Sequence, residues 1–592
     1  MNKNPSQKEI DVILKHYKAG RFKEVKKLAL HLTDKYPSNQ FGWKALGVAL
    51  KQTGNINDAL LANKNSLKIS PLDPEAHYNL GNTYKELGKL EDSEASYKKA
   101  IELKNDYAAA HNNLADTFRH KKQLEDSENS YKKAIELNPN YFEAYNNLAV
   151  TLKEMGKLEE SENSYKKAIE LNPNYFEAYS NLGITLREMG KLEESENSYK
   201  KAIELNPNYS ESYYNLGVTL RDQGRLEDSK NNYEKAIILK PDYPEAYNNL
   251  GVVLRELGKL EESENSYKKA INLNPDYADA YNNLSFTLML KNDFKEAYKF
   301  SEWRWKTNKN IGTKFITNKP VWNGESNKRI LVWKEQGIGE EIMYCSMLSE
   351  LKAKSKELIV NCDKRLIPLF KRSISKDIIY KSDKKNILET DFDTHIPMAS
   401  ISKHFRGNLK SFANTSNGYL KADKEKTHNI RNSLIKNDKE KLIGVSWHTK
   451  SRIQMASFRN LILSDLALVL NNSNTKLVNL QYGDKSSEIG VLKSKFGIEL
   501  LNVPEIDNRN DIDGLASIIS ACDLVVSIDN FTVHLAGSLG VKTKILLPFT
   551  MDARWGLNIR KSYLYNSATL YRQKNLGDWS EVLEELKNDI QI

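Results

Sequence analysis

The chain has 592 residues, of which 40% are hydrophobic, and its 88 basic and 78 acidic side chains give a net charge of +10. It has no uninterrupted apolar run of the roughly 18 residues that a membrane-spanning helix needs, and its N-terminal stretch lacks the apolar core of a secretory leader. The excess of positive charge is spread along the chain without basic stripes that alternate with aromatic residues, so we expect no specific nucleic-acid binding.

The three cysteines, Cys345, Cys362 and Cys522, lie far apart in the sequence. Their spacing matches neither a disulfide framework nor a zinc site. We interpret them as buried apolar residues in a reducing compartment. The composition therefore predicts a soluble cytoplasmic protein with no bound metal and no cofactor.

A 34-residue repeat dominates the first half of the chain. Most repeats contain an Asn-Leu dipeptide, then a tyrosine, an alanine and a closing proline at fixed spacings. Glycines such as Gly156 lie where a turn between two helices needs left-handed backbone, and glycines such as Gly183 lie where paired helices must approach closely. The pattern predicts stacked helical hairpins over residues 6–305, with about eight repeats and a degenerate ninth that begins at 278.

This pattern resembles the tetratricopeptide repeat, which implies an α-solenoid whose first helices line a groove for a protein or peptide partner. The asparagine of each Asn-Leu pair resembles the ladder with which the solenoid of O-linked N-acetylglucosamine transferase holds extended polypeptide, because an amide both donates and accepts hydrogen bonds. The alternative is that asparagine is simply a tolerated polar residue here. The predicted partner-binding row is Asn79, Asn113, Asn147, Asn181, Asn215, Asn249 and Asn283.

The repeat fails after Trp303-Arg304-Trp305, and residues 306–328 are a polar junction with turn-forming residues. Beyond this junction, short β-rich runs alternate with helical stretches, which predicts parallel sheets built from βαβ units. A charged gap suggests two Rossmann-like halves, 329–418 and 441–592, joined by a hinge at 419–440. The predicted strands are Arg329–Trp333, Glu357–Cys362, Lys376–Tyr380, Leu442–Trp447, Lys476–Gln481, Ile498–Val503, Leu524–Ile528 and Thr543–Pro548.

Two segments of this region have the pattern of a ligand site. Gln336-Gly337-Ile338-Gly339-Glu340 follows a predicted strand and opens a helix, so it could admit a ligand at the carboxyl edge of a sheet. Acidic residues in a first helical turn also occur for the helix dipole alone.

The second segment begins at Asp529, at the end of a buried strand, and a helix starts within three residues. Free backbone amides around Asn530 and Thr532, with His534 one turn later, favour a phosphate or sugar-nucleotide pocket. A capping aspartate beside a core histidine would give the same pattern.

Four motifs occur in one order: Gln336–Glu340, Ser446-Trp447-His448, Leu480-Gln481 and Asp529–Gly540. Together they resemble the glycosyltransferase domain that is attached to many bacterial tetratricopeptide proteins. That domain is similar to the ADP-heptose lipopolysaccharide heptosyltransferases, which have a GT-B fold of two Rossmann halves. The resemblance implies inverting, metal-independent transfer of a sugar from a nucleotide-sugar co-substrate to an acceptor hydroxyl.

Under this resemblance the N-terminal half binds the acceptor and supplies the catalytic base, which by position is Glu340. Relatives usually have aspartate there, so the longer side chain is a departure that leaves the activity open. The C-terminal half binds the donor, although a solvated basic loop explains Lys450, Arg452 and Arg459 equally well. The predicted donor residues are Asp529, Asn530, Thr532, His534, Lys450, Arg459 and Gln481.

Three functions fit these observations. The leading interpretation is a glycosyltransferase whose solenoid binds or presents a protein or peptide acceptor. A scaffold with an inactive transferase domain is the second, favoured by glutamate at position 340. A protein O-linked N-acetylglucosamine transferase is the third, but the C-terminal region lacks that enzyme's long catalytic insert and its lysine-rich uridine-site motif.

Overall fold

The computed structural model describes residues 4–307, 314–413, 417–437, 439–449, 456–549 and 552–590. The chain divides into two compact units, Met1–Lys240 and Pro241–Ile592. The first unit is entirely helical. The second contains further helical hairpins followed by an α/β region with two parallel sheets.

Residues 4–307, described without a gap, form nine helical hairpins, so the predicted α-solenoid is confirmed. The helices are α1 Gln7–Lys18, α2 Phe22–Lys35, α3 Gln40–Gln52, α4 Ile56–Ile69, α5 Pro74–Glu86, α6 Leu90–Leu103, α7 Ala108–His120, α8 Leu124–Leu137, α9 Phe142–Glu154, α10 Leu158–Leu171, α11 Phe176–Glu188, α12 Leu192–Leu205, α13 Ser210–Asp222, α14 Leu226–Leu239, α15 Pro244–Glu256, α16 Leu260–Leu273, α17 Ala278–Leu290 and α18 Phe294–Ser301. Seven hairpins lie in the first unit, and α15–α18 lie in the second.

Glycine has both of its predicted roles in the repeats. Gly190 takes φ +79° in the turn between α11 and α12. A Cβ on Gly183 would lie 2.6 Å from Cζ of the buried Tyr199, so only a glycine leaves the ring its present place. Where a repeat lacks the turn glycine, Lys122 and Asn292 adopt the same left-handed backbone.

A short helical segment, Glu302–Lys306, connects the last hairpin to the α/β region. Within it the buried Arg304 guanidinium donates from Nε to Oε2 of Glu335 at 2.8 Å and from Nη2 to Oγ of Ser400 at 2.8 Å. The ring of Trp303 stacks on Tyr281 of α17 with centroids 3.9 Å apart. Because a buried guanidinium is stable only when its donors are satisfied, this network fixes the last hairpin against the first sheet.

The first sheet has four parallel strands in the order β3-β2-β1-β4. The second has six parallel strands in the order β10-β9-β8-β5-β6-β7, which is the 3-2-1-4-5-6 order of doubly wound sheets read from its far edge. The strands are β1 Arg329–Trp333, β2 Glu357–Asn361, β3 Ile379–Lys381, β4 Thr394–Pro397, β5 Lys441–Ser446, β6 Thr475–Asn479, β7 Leu500–Leu501, β8 Leu524–Ile528, β9 Thr543–Leu547 and β10 Ala568–Arg572.

Helices pack on both sheets and share one hydrophobic core. This core joins Ile342 and Leu348 beside the first sheet to Leu515 and Leu535 beside the second. The helices are α19 Ile338–Tyr344, α20 Leu348–Lys354, α21 Ile367–Ser373, α22 Ser402–Phe405, α23 Lys424–Leu434, α24 Ala456–Arg459, α25 Leu463–Leu470, α26 Ser486–Phe496, α27 Ile512–Ala521, α28 Phe531–Ser538 and α29 Ser580–Ile590.

Parallel sheet was predicted correctly, but several local expectations differ from the structure. Strands β4 and β10 were not predicted, and β7 is shorter than the expected Ile498–Val503. The segment 419–440, predicted as a hinge, contains the helix α23, whose Ile430 is buried in the shared core. All three cysteines are buried and free. None of the described helices is long and apolar enough to cross a membrane.

Candidate functional site

The candidate site lies where strands of the two sheets end. In the second sheet β5 and β8 are neighbours, and the connections that follow them lead toward opposite edges of the sheet. Ligands of doubly wound sheets bind at such a point, outside the carboxyl ends of the strands. Thr449 follows β5 and Asp529 follows β8. In the first sheet, β1 leads directly into the segment Gly337–Glu340.

A cleft of about 550 Å³ is lined by residues from both sheets. Its floor is close-packed, because a Cβ on Gly339 would lie 3.3 Å from Cδ2 of His534 and 3.4 Å from Cα of Phe531. The glycine therefore lets the start of α19 reach α28. The charged residues that line the cleft are Glu340, Arg365, Arg459, Arg509, Asp529, Asp552 and Arg554.

The structure separates three glutamates that are close in the sequence. Glu335 is buried in the network of Arg304. Glu341 is buried and accepts a hydrogen bond from the Asp363 amide at 2.8 Å, and burial raises its pKa to about 7. Of the three, Glu340 alone lines the cleft. Its position is thus compatible with the predicted role as base, which stays a prediction.

Arg554 lies at the centre of the charges in the cleft. Its Nε lies 2.9 Å from Oδ2 of Asp552, its Nη1 lies 3.4 Å from Oε1 of Glu340, and Nη1 is also 3.4 Å from Nε2 of His534. Burial lowers the pKa of this guanidinium, but Asp552 and Glu340 raise it further, so the net shift is upward. Arg554 therefore stays charged. It contacts the carboxylate of Glu340, which lies after the first sheet's β1, and that of Asp552, which lies after the second sheet's β9.

Asp529 and Arg459 form a second ion pair in the cleft. Arg459 Nη2 donates to Oδ2 of Asp529 at 3.0 Å. Burial raises the pKa of Asp529, and the negative charge of Asp552 raises it further. The Nε atom of Arg459 is buried and has no hydrogen-bond partner among the described residues. This pair therefore has one donor that is not used within the described part of the protein.

His534 is held as a neutral ring at the base of the cleft. Burial lowers its pKa to about 3, and the positive charge of Arg554 acts in the same direction. Its Nδ1 lies 3.0 Å from the Tyr565 hydroxyl, and its ring stacks on Trp555 with centroids 5.3 Å apart. A neutral imidazole can donate or accept one hydrogen bond here but supplies no charge.

Three of the predicted donor residues are buried, namely Asn530, Thr532 and Gln481. The Asn530 side chain caps α28 by accepting from the Thr532 amide at 2.9 Å, and it donates to Ser446 at 2.8 Å. Thr532 is fully buried. Gln481 accepts from the amides of Trp447 and His448, so it fixes the loop after β5 and does not line the cleft. Asn530 reaches the cleft as part of its lining.

Lys450 and Arg452 lie outside the described residues. Arg365, Arg509 and Arg554 line the cleft but were not predicted as site residues. The signal for Arg554 was its place shortly after a buried strand, where ligand-binding loops begin. Among the described residues, no group of three or more His, Cys, Asp and Glu is arranged to hold a metal ion.

The predicted asparagine row connects consecutive hairpins. Nδ2 of Asn181 donates to Oδ1 of Asn146 in the preceding repeat at 3.2 Å, and Nδ2 of Asn283 donates to Asn248 at 3.0 Å. First helices of consecutive hairpins contact each other within the first unit. The row therefore has a structural role, and partner binding stays a prediction. All seven side chains are half-buried: Asn79, Asn113, Asn147, Asn181, Asn215, Asn249 and Asn283.

One family model matches the repeats of this chain. Residues 23–284 match the TPR family model described as the cilia and flagella-associated protein 70 C-terminal domain. The chain is 27% identical to protein FlbA of Caulobacter vibrioides over 282 residues, which are 44% of this chain and 46% of FlbA. The chain thus spans less than half the length of that curated relative.

Among solved structures, the chain is similar to YrrB, a TPR protein with an unusual peptide-binding site. The two are 24% identical with a TM-score of 0.27, over 31% of this chain and 95% of YrrB. MamA is 28% identical with a TM-score of 0.26, over 28% of this chain and 96% of MamA.

The family match and the repeat geometry agree that residues 23–284 consist of tetratricopeptide repeats.

Proposed function

We propose that the chain is a glycosyltransferase of GT-B type that transfers a sugar from a nucleotide-sugar to a hydroxyl of a protein or peptide held by the solenoid. The observation that carries this proposal is the cleft at the carboxyl ends of two parallel sheets, where four arginines surround three carboxylates. A nucleoside diphosphate needs that positive charge, and sugar transfer needs a base beside it.

Donor binding is assigned to the second sheet. The guanidiniums of Arg459, Arg509 and Arg554 supply planar donors that suit diphosphate oxygens. Arg509 is exposed and makes no ion pair with a described residue, so it is available without breaking one. Tyr482 and Phe531 line the same cleft with ring centroids 5.3 Å apart, and such an aromatic pair suits a nucleobase or a sugar face.

Transfer is assigned to Glu340. Its carboxylate takes the proton of the acceptor hydroxyl as that oxygen bonds to the anomeric carbon of the donor sugar. The bond from the anomeric carbon to the diphosphate oxygen breaks, and its electron pair leaves with the diphosphate. Attack on the face opposite the leaving group inverts the configuration. Arg554 and Arg459 neutralise the charge that develops on the diphosphate.

Arg554 also has a role before the reaction in this mechanism. While it pairs with Glu340, the carboxylate is held at the edge of the cleft. A diphosphate competes for the same guanidinium, so donor binding releases Glu340 toward the acceptor. Charge-assisted contacts of this kind favour an order in which the donor binds first.

A release assay tests the proposal. The full chain is incubated with UDP-, ADP-, GDP- and dTDP-sugars, and free nucleoside diphosphate is measured over time, with UDP-N-acetylglucosamine in the panel to examine the third interpretation. We expect slow release with one nucleotide, which rises when an acceptor peptide is added. No release from any donor would reject the activity.

The second candidate, a scaffold with an inactive transferase domain, is favoured by one observation. Glu340 and Asp529 are both paired with arginines, so much of the charge in the cleft is compensated internally. For this candidate, a nucleoside diphosphate would bind without turnover, and Glu340→Asp would leave that result unchanged.

A further inference from the structure

A second pocket of about 270 Å³ opens beside the cleft and extends it toward the last two hairpins. It shares four charged residues with the cleft, Arg459, Asp529, Asp552 and Arg554. Its remaining walls include Arg255 of α15 and Phe286 of α17. These hairpins belong to the same compact unit as both sheets.

Arg255 ends a row of basic residues that the repeat places at one helix position. Two arginines of this row in the first unit pair with an acidic residue 35 positions later, Arg119 with Glu154 and Arg187 with Asp222. The same step from Arg255 reaches Leu290. The row is Lys51, Lys85, Arg119, Lys153, Arg187, Arg221 and Arg255.

Leu290 has a different role from the acids that it replaces. It is buried with Leu260 and packs in one cluster with Ala553, next to Arg554 of the cleft. Because position 290 has a leucine instead of an acid, the last hairpin packs against residues that follow a strand of the second sheet. Arg255 consequently has no ion pair among the described residues.

Arg255 lines the pocket without a carboxylate partner among the described residues. Arg255 and Arg459 both line this pocket, and their Nε atoms are buried without a hydrogen-bond partner among the described residues. Buried donors without an acceptor are unfavourable, so an oxygen-bearing ligand is stabilised here. The pocket holds three guanidiniums against two carboxylates, and Asp529 and Asp552 are each already paired with an arginine. An anion is therefore the ligand that fits.

The neighbouring groups favour a polypeptide. Phe286, which is 37% exposed, lies under the Arg255 guanidinium at 5.8 Å. Arg255 Nη1 also donates to the backbone oxygen of Asn283, one turn before Phe286 on the same helix. A carboxylate for the arginine and an apolar contact for the ring occur together in an extended acidic peptide.

We propose that Arg255 and Phe286 form an acceptor subsite that selects a hydroxyl-bearing polypeptide segment with a carboxylate close to the modified residue. This inference rests on the proposed transferase function for its position next to the reacting groups. It adds the class of acceptor that the cleft receives.

The test measures binding of two fluorescein-labelled peptides to the full chain by anisotropy. Both contain one serine, and they differ in having glutamate or glutamine on either side of it. We expect the glutamate peptide to bind about tenfold more tightly, as one charge-assisted hydrogen bond would give. Arg255→Gln should abolish this preference, and Arg255→Lys should retain part of it.

Arg187→Gln is the matched control, because Arg187 has the same position in its repeat but an acidic partner. It should keep the preference for glutamate. Equal loss in both variants, or no preference in the unmodified chain, would overturn the subsite. Binding of a glucuronate oligosaccharide that depends on Arg255, without any such peptide preference, would also overturn the polypeptide assignment.

Nucleoside diphosphate binding is measured on the same preparations. Because Arg255 does not line the larger cleft, Arg255→Gln should leave that binding unchanged. A preference for glutamate without nucleotide binding would support the subsite while rejecting the transferase. Nucleotide binding without the preference would retain the transferase and reject the subsite.

Discussion

Nη1 of Arg554 lies 3.4 Å from Oε1 of Glu340, although the two residues are 214 positions apart in the sequence. Glu340 belongs to the segment that follows the first strand of the first sheet, and Arg554 follows β9 of the second. This contact joins the group proposed to remove a proton to the group proposed to receive the leaving diphosphate. Under the proposed mechanism, donor binding and base release are coupled through this contact.

Glu340→Gln should reduce transfer at least about 100-fold, because an amide cannot accept the proton of the acceptor hydroxyl. Binding of the nucleoside diphosphate should persist or become tighter, since Arg554 loses a competing carboxylate. Release assays and calorimetry measure the two effects. Glu340→Asp, which keeps a carboxylate at this position, should retain measurable turnover. Unchanged turnover in Glu340→Gln would assign the base elsewhere.

Replacing Asn147, Asn181 and Asn215 together with alanine should weaken binding of an extended uncharged peptide by about tenfold, because each amide offers a donor and an acceptor. Fluorescence anisotropy measures the affinity. The control replaces three exposed asparagines of the second helices, Asn129, Asn163 and Asn197. Equal affinities of the two triple variants would show that the row has only its structural role between hairpins.

Gly183→Val should destabilise the solenoid by about 1–3 kcal/mol, because the added side chain meets the buried Tyr199 ring. The midpoint of thermal unfolding, followed by far-UV circular dichroism, measures this change. Gly183→Ala should have a much smaller effect, since Ala115 occupies the equivalent position beside Tyr131 in another repeat. A valine variant as stable as the alanine variant would contradict this packing.

Glu196 should make the solenoid sensitive to acid. Burial raises its pKa, but hydrogen bonds from Lys200 and Arg225 lower it further, to about 2 from an ordinary value of 4.5. The folded state thus has the lower pKa, so the stabilisation is present above pH 4.5 and is lost as the pH falls toward 2. Glu196→Gln should lower the unfolding midpoint at pH 7, have a smaller effect near pH 3 and have little effect near pH 2. A difference that stays constant with pH would contradict the pairing.

The repetitive part of the fold could be predicted because the same residue types recur at the same positions in most repeats. A glycine in the turn, as at Gly190, and a close approach, as at Gly183, recur at one spacing. Strand β4 could not be found in this way, because Thr394–Pro397 is four residues long and contains histidine and proline. Its pairing with β1 depends on tertiary contacts.

The candidate site was predictable where a functional residue directly follows a buried strand, as Glu340 and Asp529 nearly do. It was not predictable where side chains from distant segments meet, as Arg554 does with Glu340. Gln481 was predicted as a donor-binding residue, but its side chain accepts hydrogen bonds from backbone amides. The sequence does not distinguish these two roles of a polar residue after a strand. Arg255 could have been suspected from the sequence, since Leu290 lies at a position that is acidic in most other repeats.

The account depends most on whether the cleft binds a nucleoside diphosphate. Isothermal titration of the full chain with UDP, ADP, GDP and dTDP measures this directly, and repeats on Arg554→Ala and on Arg560→Ala, an arginine outside the cleft, provide the comparison. We predict that one nucleotide binds at a ratio of one to one, that Arg554→Ala weakens it by about 100-fold, and that Arg560→Ala binds normally. Absence of binding for all four nucleotides, or equal affinity in all three proteins, would contradict the proposed function.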